Sequence, residues 1–298
     1  MRTVLVKYFL LLSLAMVALV DDTSAQHASD VQKLNVEGDH FKALATYELL
    51  PSKKIVPEAK IAAAKSAWAL GLNRQAADSF DSILRDPQLS PDTRARLTLS
   101  RAVLEYQEER YQEGSLFAEK AVSLLSEPSP LRGRALLLWG QSFVRMRAYG
   151  NAEEKFSRAL LEVQGGDKAE AHFNLGLVGM KLGKYTEAQR HLESIPMDHE
   201  RTATAIRLLA GLSLETKQID RAKFWIEKGK NEYPDVFVDS WGDYGLLQVA
   251  LAKGDIESAR RIEEYSKKQY APSDSWLVLM QAALEQAEWQ RLDEPRVG

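Results

Sequence analysis

Residues 169–196, AEAHFNLGLVGMKLGKYTEAQRHLESIP, carry the pattern that decides the fold of this chain. They read as two helices joined by a short turn at Gly183. Gly176 and Gly179 on the first helix and Ala188 on the second are small enough for the two helices to approach closely. Gly183 suits the left-handed residue that ends many helices. Pro196 closes the stretch, since a proline cannot continue a helix. Neither helix can bury its apolar stripe alone, so such a stretch needs neighbours of the same kind.

Those neighbours recur along the chain. The segment GKYTEAQRHLESIP from Gly183 resembles GDHFKALATYELLP from Gly38, GLNRQAADSFDSIL from Gly71, ERYQEGSLFAEKAV from Glu109 and RAYGNAEEKFSRAL from Arg147. It also resembles KQIDRAKFWIEKGK from Lys217 and GDIESARRIEEYSK from Gly254. Each opens at a turn and then places a small residue: Ala43, Ala76, Gly114, Ala152, Ala188, Ala222 or Ala259. In most segments a bulky residue such as Phe80 or Phe156 follows one helical turn later. The gaps between successive small residues are 33, 38, 38, 36, 34 and 37. Pro51, Pro57, Pro87, Pro91, Pro128, Pro130, Gly165, Gly166, Pro196 and Pro234 mark the expected loops.

The stretch closely resembles the tetratricopeptide repeat, whose period is about 34 residues. Leu175-Gly176, Gly183, Tyr185 and Ala188 fall on its signature positions, as do Trp139-Gly140, Phe143, Tyr149, Ala152, Phe156 and Ala159 one unit earlier. Ile206, Leu209, Ala210, Ala222 and Pro234 continue the pattern. The resemblance implies an all-α fold, an α-solenoid of about seven helix pairs plus a C-terminal capping helix. The expected superhelix covers 26–293, with units near 26–51, 57–87, 95–126, 133–164, 169–196, 203–234 and 240–270. The leading helix of the first unit, near Ala28 to Val36, is poorly apolar. In the third unit the first helix fits best on Leu99, Ala102, Val103 and Tyr106. The capping helix, 275–292, has a stripe of Trp276, Met280, Ala283, Leu284 and Ala287.

The N-terminus reads differently. Arg2 and Lys7 precede a run from Tyr8 to Val20 that is apolar apart from Ser13, and Thr23-Ser24-Ala25 follows. This is the layout of a signal peptide over 1–25, with cleavage expected after Ala25. The run is short for a bilayer, which takes roughly 20 residues. An uncleaved inner-membrane anchor is the alternative, and membrane association is expected only in that case. Export to a bacterial periplasm is the expected location, since the chain has no cysteine and no N-x-[ST] sequon.

Composition narrows the chemistry. The formal net charge of -3 lacks the basic excess of a nucleic-acid binder. With 0 cysteines, disulfides, zinc thiolates and thiol nucleophiles are excluded. His191 and His199, with Asp198 and Glu200, lack the spacing of a helical zinc motif. His172 stands at a position that large packing residues normally fill. Gly176, Gly179 and Gly183 follow no strand and so form no phosphate loop, and Gln164 to Asp167 reads as a loop between repeats. No G-x-S-x-G elbow occurs, and Glu153-Glu154 and Glu263-Glu264 read as solvated helix faces. The chain is therefore not expected to be an enzyme, nor to hold a cofactor or metal.

In the family it resembles, the first helix of each pair lines a concave surface that holds partners. Carried onto this sequence, that register gives Arg134, Leu137, Gln141 and Arg145, then Phe173, Asn174, Leu177, Met180 and Lys181. Arg207 and Gly211 follow, then Trp241, Tyr244 and Gln248. Leu137, Phe173, Leu177 and Met180 would form an apolar strip flanked by Arg145, Lys181 and Arg207. Such a strip suits a peptide with apolar anchors and some acidic residues. Asn174 matches one position of the family's clamp for a C-terminal carboxylate, but the matching lysines are missing. The expectation is an interaction scaffold or adaptor in the cell envelope, accessory to a transport, secretion or assembly complex. A self-assembling structural scaffold is the alternative, and a small-ligand receptor is a third reading.

Overall fold

The computed structural model describes residues 28–50 and 56–293. The signal segment, its cleavage after Ala25, and Pro51 lie outside the described residues. Among the described residues all regular structure is helical. The first pairs are α1 (Ala28–Val36) with α2 (His40–Glu48), α3 (Pro57–Ala69) with α4 (Asn73–Leu84), and α5 (Pro91–Gln107) with α6 (Tyr111–Ser123). There follow α7 (Pro130–Arg145) and α8 (Tyr149–Leu160), α9 (Gly165–Lys181) and α10 (Tyr185–Glu193), and α11 (Thr202–Glu215) and α12 (Ile219–Glu232). A short 3-10 turn at Pro234–Val236 leads to α13 (Trp241–Ala252), α14 (Ile256–Gln269) and the single helix α15 (Ser275–Asp293). No helix among the described residues is long and apolar enough to cross a membrane.

One local device joins the helices of every pair. The residue after the first helix's end has positive φ: Gly38, Gly71, Glu109, Arg147, Gly183, Lys217 and Gly254. The next residue's N–H reaches five positions back, as in Leu72 to Ala67 O (2.9 Å) and Lys184 to Gly179 O (2.8 Å). This is the Schellman arrangement, which satisfies carbonyls that a helix end leaves open. The small contact residue comes five positions after the left-handed one in every pair. Ala43, Ala76, Ala152, Ala188, Ala222 and Ala259 are all fully buried. At Gly176 the approach is close, for a Cβ there would stand 2.7 Å from Leu192.

Three prolines read as loop markers instead open helices. Pro57, Pro91 and Pro130 stand at the first positions of α3, α5 and α7. That position has no use for an N–H, and proline's fixed φ already suits it. Ser90 caps α5 by accepting from Thr93 N at 3.1 Å. Gly165 and Gly166, which read as a loop in the sequence, are likewise the first residues of α9, with Gln164 as the cap.

The chain divides into two compact units at the Ser142–Phe143 step, inside α7. In the first, a core of small residues gathers around Phe80: Ala59, Ala62, Ala63 and Ala67 of α3 let three helices meet closely. The weakly apolar α1 joins through Val31, which is fully buried, and Asn35, which donates to Ser66 Oγ at 2.8 Å. Glu105 is 3% exposed and is held between Arg101 and Arg110. Burial pushes its pKa up, but the bonds from Arg110 and Arg101 outweigh this, leaving it below the usual carboxylate range.

In the second unit one core runs from Phe173 and Leu192 through Ile206, Leu209 and Ile226 to Phe237. Another joins Leu247 and Ala259 to Leu277, Met280 and Leu284 of α15. Glu263, expected on a solvated face, is buried and paired with Lys267. It takes the position that Phe156 and Ile226 fill in other pairs, so its charge needs that partner.

Candidate partner-binding face

The expected groove residues divide between the units. Arg134, Leu137 and Gln141 stand on the part of α7 in the first unit; Leu137 is 6% exposed there, packed inward among its neighbours. Arg145 ends α7 in the second unit, and α9 carries Phe173, Asn174, Leu177, Met180 and Lys181. Arg207 stands on α11. Leu177 and Met180 are half-buried against the second unit's core, and Lys181 is exposed.

Phe173 and Asn174 belong to a network that ties α9 to α11. Phe173 is 7% exposed, and the guanidinium of Arg201 lies over its ring at 5.1 Å from the centroid. Arg201 also donates to both Glu170 oxygens, at 2.9 and 3.2 Å. The Glu170 bond raises the guanidinium's pKa further, against the effect of burial. Asn174 Nδ2 turns back to Glu170 O at 2.8 Å and to its carboxylate at 3.2 Å. The amide donors of Asn174 are thus taken up on its own helix, and Phe173 is roofed by an arginine. Both residues hold the face in shape.

The exposed part of the face lies further along. Arg207 donates to Val236 O at 2.6 Å and to Asp239 at 2.7 Å. Its guanidinium stands 4.7 Å from the Trp241 ring centroid. That stack fixes Trp241 at the start of α13, and a Cβ on Gly211 would reach the indole at 3.7 Å. One turn on, Tyr244 meets Trp276 of α15 with centroids 5.3 Å apart. Trp241, Tyr244 and Trp276 are each half-buried, with part of each ring reaching solvent. Rings held this way offer contact area at little entropic cost.

On the other helices of this unit, His172 of α9 faces His191 of α10, Nδ1 to Nδ1 at 3.0 Å. One nitrogen donates and the other accepts, so the accepting ring must be neutral and the two rings cannot both be charged. Burial, with His191 and Lys168 nearby, lowers the pKa of His172; burial and Arg190 lower that of His191 against Glu187 and Glu153. His199 accepts from Arg201 N at 3.2 Å. The residues once grouped as His191, Asp198, His199 and Glu200 are therefore separately engaged at their histidines.

Sequence reasoning missed the bracing roles of Arg201, Arg207 and Glu170. A faint signal existed for Glu170 and Arg207, charges set between apolar residues on helices that must bury one face; Arg201 stands among polar residues just before α11 and gave none. It missed the histidine pair because the partners lie on different helices, 19 residues apart.

The family model described as Tetratricopeptide repeat matches residues 137–194. No curated protein matches the chain in sequence. Among solved structures it is similar to YrrB, described as a TPR protein with an unusual peptide-binding site: TM-score 0.58, 17% identity, covering 69% of this chain and 99% of that one. It is similar to a tetratricopeptide repeat protein from Parabacteroides merdae, with TM-score 0.55 and 16% identity over 79% of this chain and 88% of that one. PilF of Pseudomonas aeruginosa gives TM-score 0.55 and 18% identity over 70% and 92%. Residues 137–194 belong to the tetratricopeptide repeat family, and the chain as a whole has the all-α, solenoid-type fold of tetratricopeptide repeat proteins.

Proposed function

We propose that this protein is a non-enzymatic interaction scaffold of the cell envelope, and that a peptide or protein partner lies along the first-helix face of its second unit. The observation that carries this reading is the row Trp241, Tyr244 and Trp276, half-exposed and braced by Arg207. Rigid aromatic side chains near arginine are the usual anchors of protein contacts. The peptide-binding site named for YrrB, on a similar fold, supports a partner of that class. Lys181 extends the face with a positive charge. Phe173 acts here as a support, and its loss is expected to unfold the face before it reports on binding.

The test is affinity capture from native cell envelopes, followed by mass spectrometry, with the wild-type chain beside Tyr244→Ala and Lys181→Glu. Lys181→Glu is expected to keep the wild-type melting curve, Tyr244→Ala to melt lower while staying folded at the capture temperature, and both to lose a protein that the wild type retains. Equal recovery of that protein by both variants overturns the face as the binding site.

Export is proposed from the positive start, the apolar run and the small residues before Gln26. N-terminal sequencing of the protein recovered from cells is expected to begin at Gln26. A chain that still carries residues 1–25 overturns cleavage and favours the anchor.

A further inference from the structure

The second helices of the last pairs differ at one register position. Three residues past the small contact residue stand Trp225 on α12 and Ile262 on α14. Trp225 lies in the furrow between α10 and α12, is 8% exposed, and leaves only about 10 Å³ open there. The next furrow, between α12 and α14 over α13, has no such filler. It is a cleft of about 510 Å³, floored by Leu246, Val249, Ala250 and Ile262. Lys223 and Arg261 stand exposed on its opposite rims. At this position Ile262 is smaller than Trp225, and the space above it stays open.

An exposed indole exists nearby. Trp289 of α15 is 68% exposed, and Val278 on the same helix is 66% exposed. An indole this exposed is free to enter a contact with another molecule. Glu285, one turn before Trp289, is exposed and acidic, which complements Arg261 at the cleft's rim. Glu288, next to Trp289, accepts from Arg260 at 2.6 Å. Arg260 shares the first turns of α14 with Ser258 and Arg261, which line the cleft. Plug and slot therefore lie on adjoining surfaces of one unit. A two-fold contact requires this, because the same patch must carry both halves of the interaction.

We propose that the cleft between α12 and α14 receives Trp289 of a second copy of this chain, in a reciprocal two-fold dimer. Each indole takes the place over Ile262 that Trp225 occupies one layer earlier, and each Glu285 meets Arg261 across the contact. The partner face of α9, α11 and α13 plays no part in it.

Sedimentation velocity of the purified chain over a wide concentration range tests this. Wild type is expected to pass from monomer to dimer. Trp289→Ala removes the plug and Ile262→Trp fills the slot; each is expected to raise the dissociation constant about tenfold or more. Trp289 is exposed, so its loss leaves the fold intact, as circular dichroism checks. The mixture of the two variants decides the geometry. Their heterodimer keeps one intact plug and slot, so the mixture is expected to associate more tightly than either variant alone. A wild type that stays monomeric throughout overturns the proposal. So does dimerisation that both variants leave unchanged, or a mixture no tighter than its components.

Discussion

Lys217 holds φ at +57°, and Glu109 and Arg147 hold +61°, where the other pairs place glycine. A residue with a Cβ is disfavoured there by roughly 1 kcal/mol or more, while glycine loses part of that advantage through its freer unfolded chain. Lys217→Gly is therefore expected to stabilise the protein by about 0.5 kcal/mol, seen as a higher midpoint in urea at unchanged slope. Glu105 points the other way. Glu105→Ala takes the buried carboxylate from Arg101, which keeps the more exposed Asp81 at 3.0 Å, and is expected to cost about 1–3 kcal/mol by the same measurement. The histidine pair adds a dependence on pH. Both rings have folded pKa values below the free value, so the unfolded chain takes up protons first as pH falls. Their contribution is whole above about pH 6.5 and fades below it. The melting temperature should fall between neutral and mildly acid pH, and fall less in His172→Leu; identical slopes would remove the pair as a cause. The turn residues were legible, since each repeat segment begins on one. Glu105 and Glu263 were not, because an acidic residue on an amphipathic helix reads as solvated until its neighbours are placed.

At the level of helices, α9 and α10 meet with almost no room to spare. Gly176→Ala puts a Cβ against Leu192 and is expected to cost about 1–3 kcal/mol by overpacking. Gly183→Ala acts through φ instead, and its effect should be independent of any substitution at Leu192, as a double-mutant cycle would show. The small residues on paired helices announced these contacts in the sequence, because the spacing is local and repeats. Helix beginnings were less legible. Pro91 and Pro130 look like breakers, yet at a first position they start helices, and only the cap geometry of Ser90 and its counterparts separates the two roles. The bracing by Arg201 and Arg207 depends on pairing between units of the repeat, which no single helix reveals.

On the scale of the chain, the repeat makes stability a sum of neighbouring contacts within each compact unit. The last helix, α15, covers Leu247 and Ala259 with Leu277, Met280 and Leu284. A chain ending after Pro272 should lose several kcal/mol of stability, at about 1.5–3 kcal/mol for each large side chain uncovered. It should also bind more of a hydrophobic dye than the full chain does.

The units vary in length, but the step from left-handed turn residue to small contact residue is five positions in all of them. One residue added between Gly183 and Ala188 would turn the rest of α10 by about 100° and carry Ala188 away from Gly179. The same residue added between α10 and α11 would only lengthen a loop. Insertions and deletions can therefore accumulate between pairs while none survives inside that step. The drift of the period from 33 to 38 residues is the record of where this chain can be edited without losing phase.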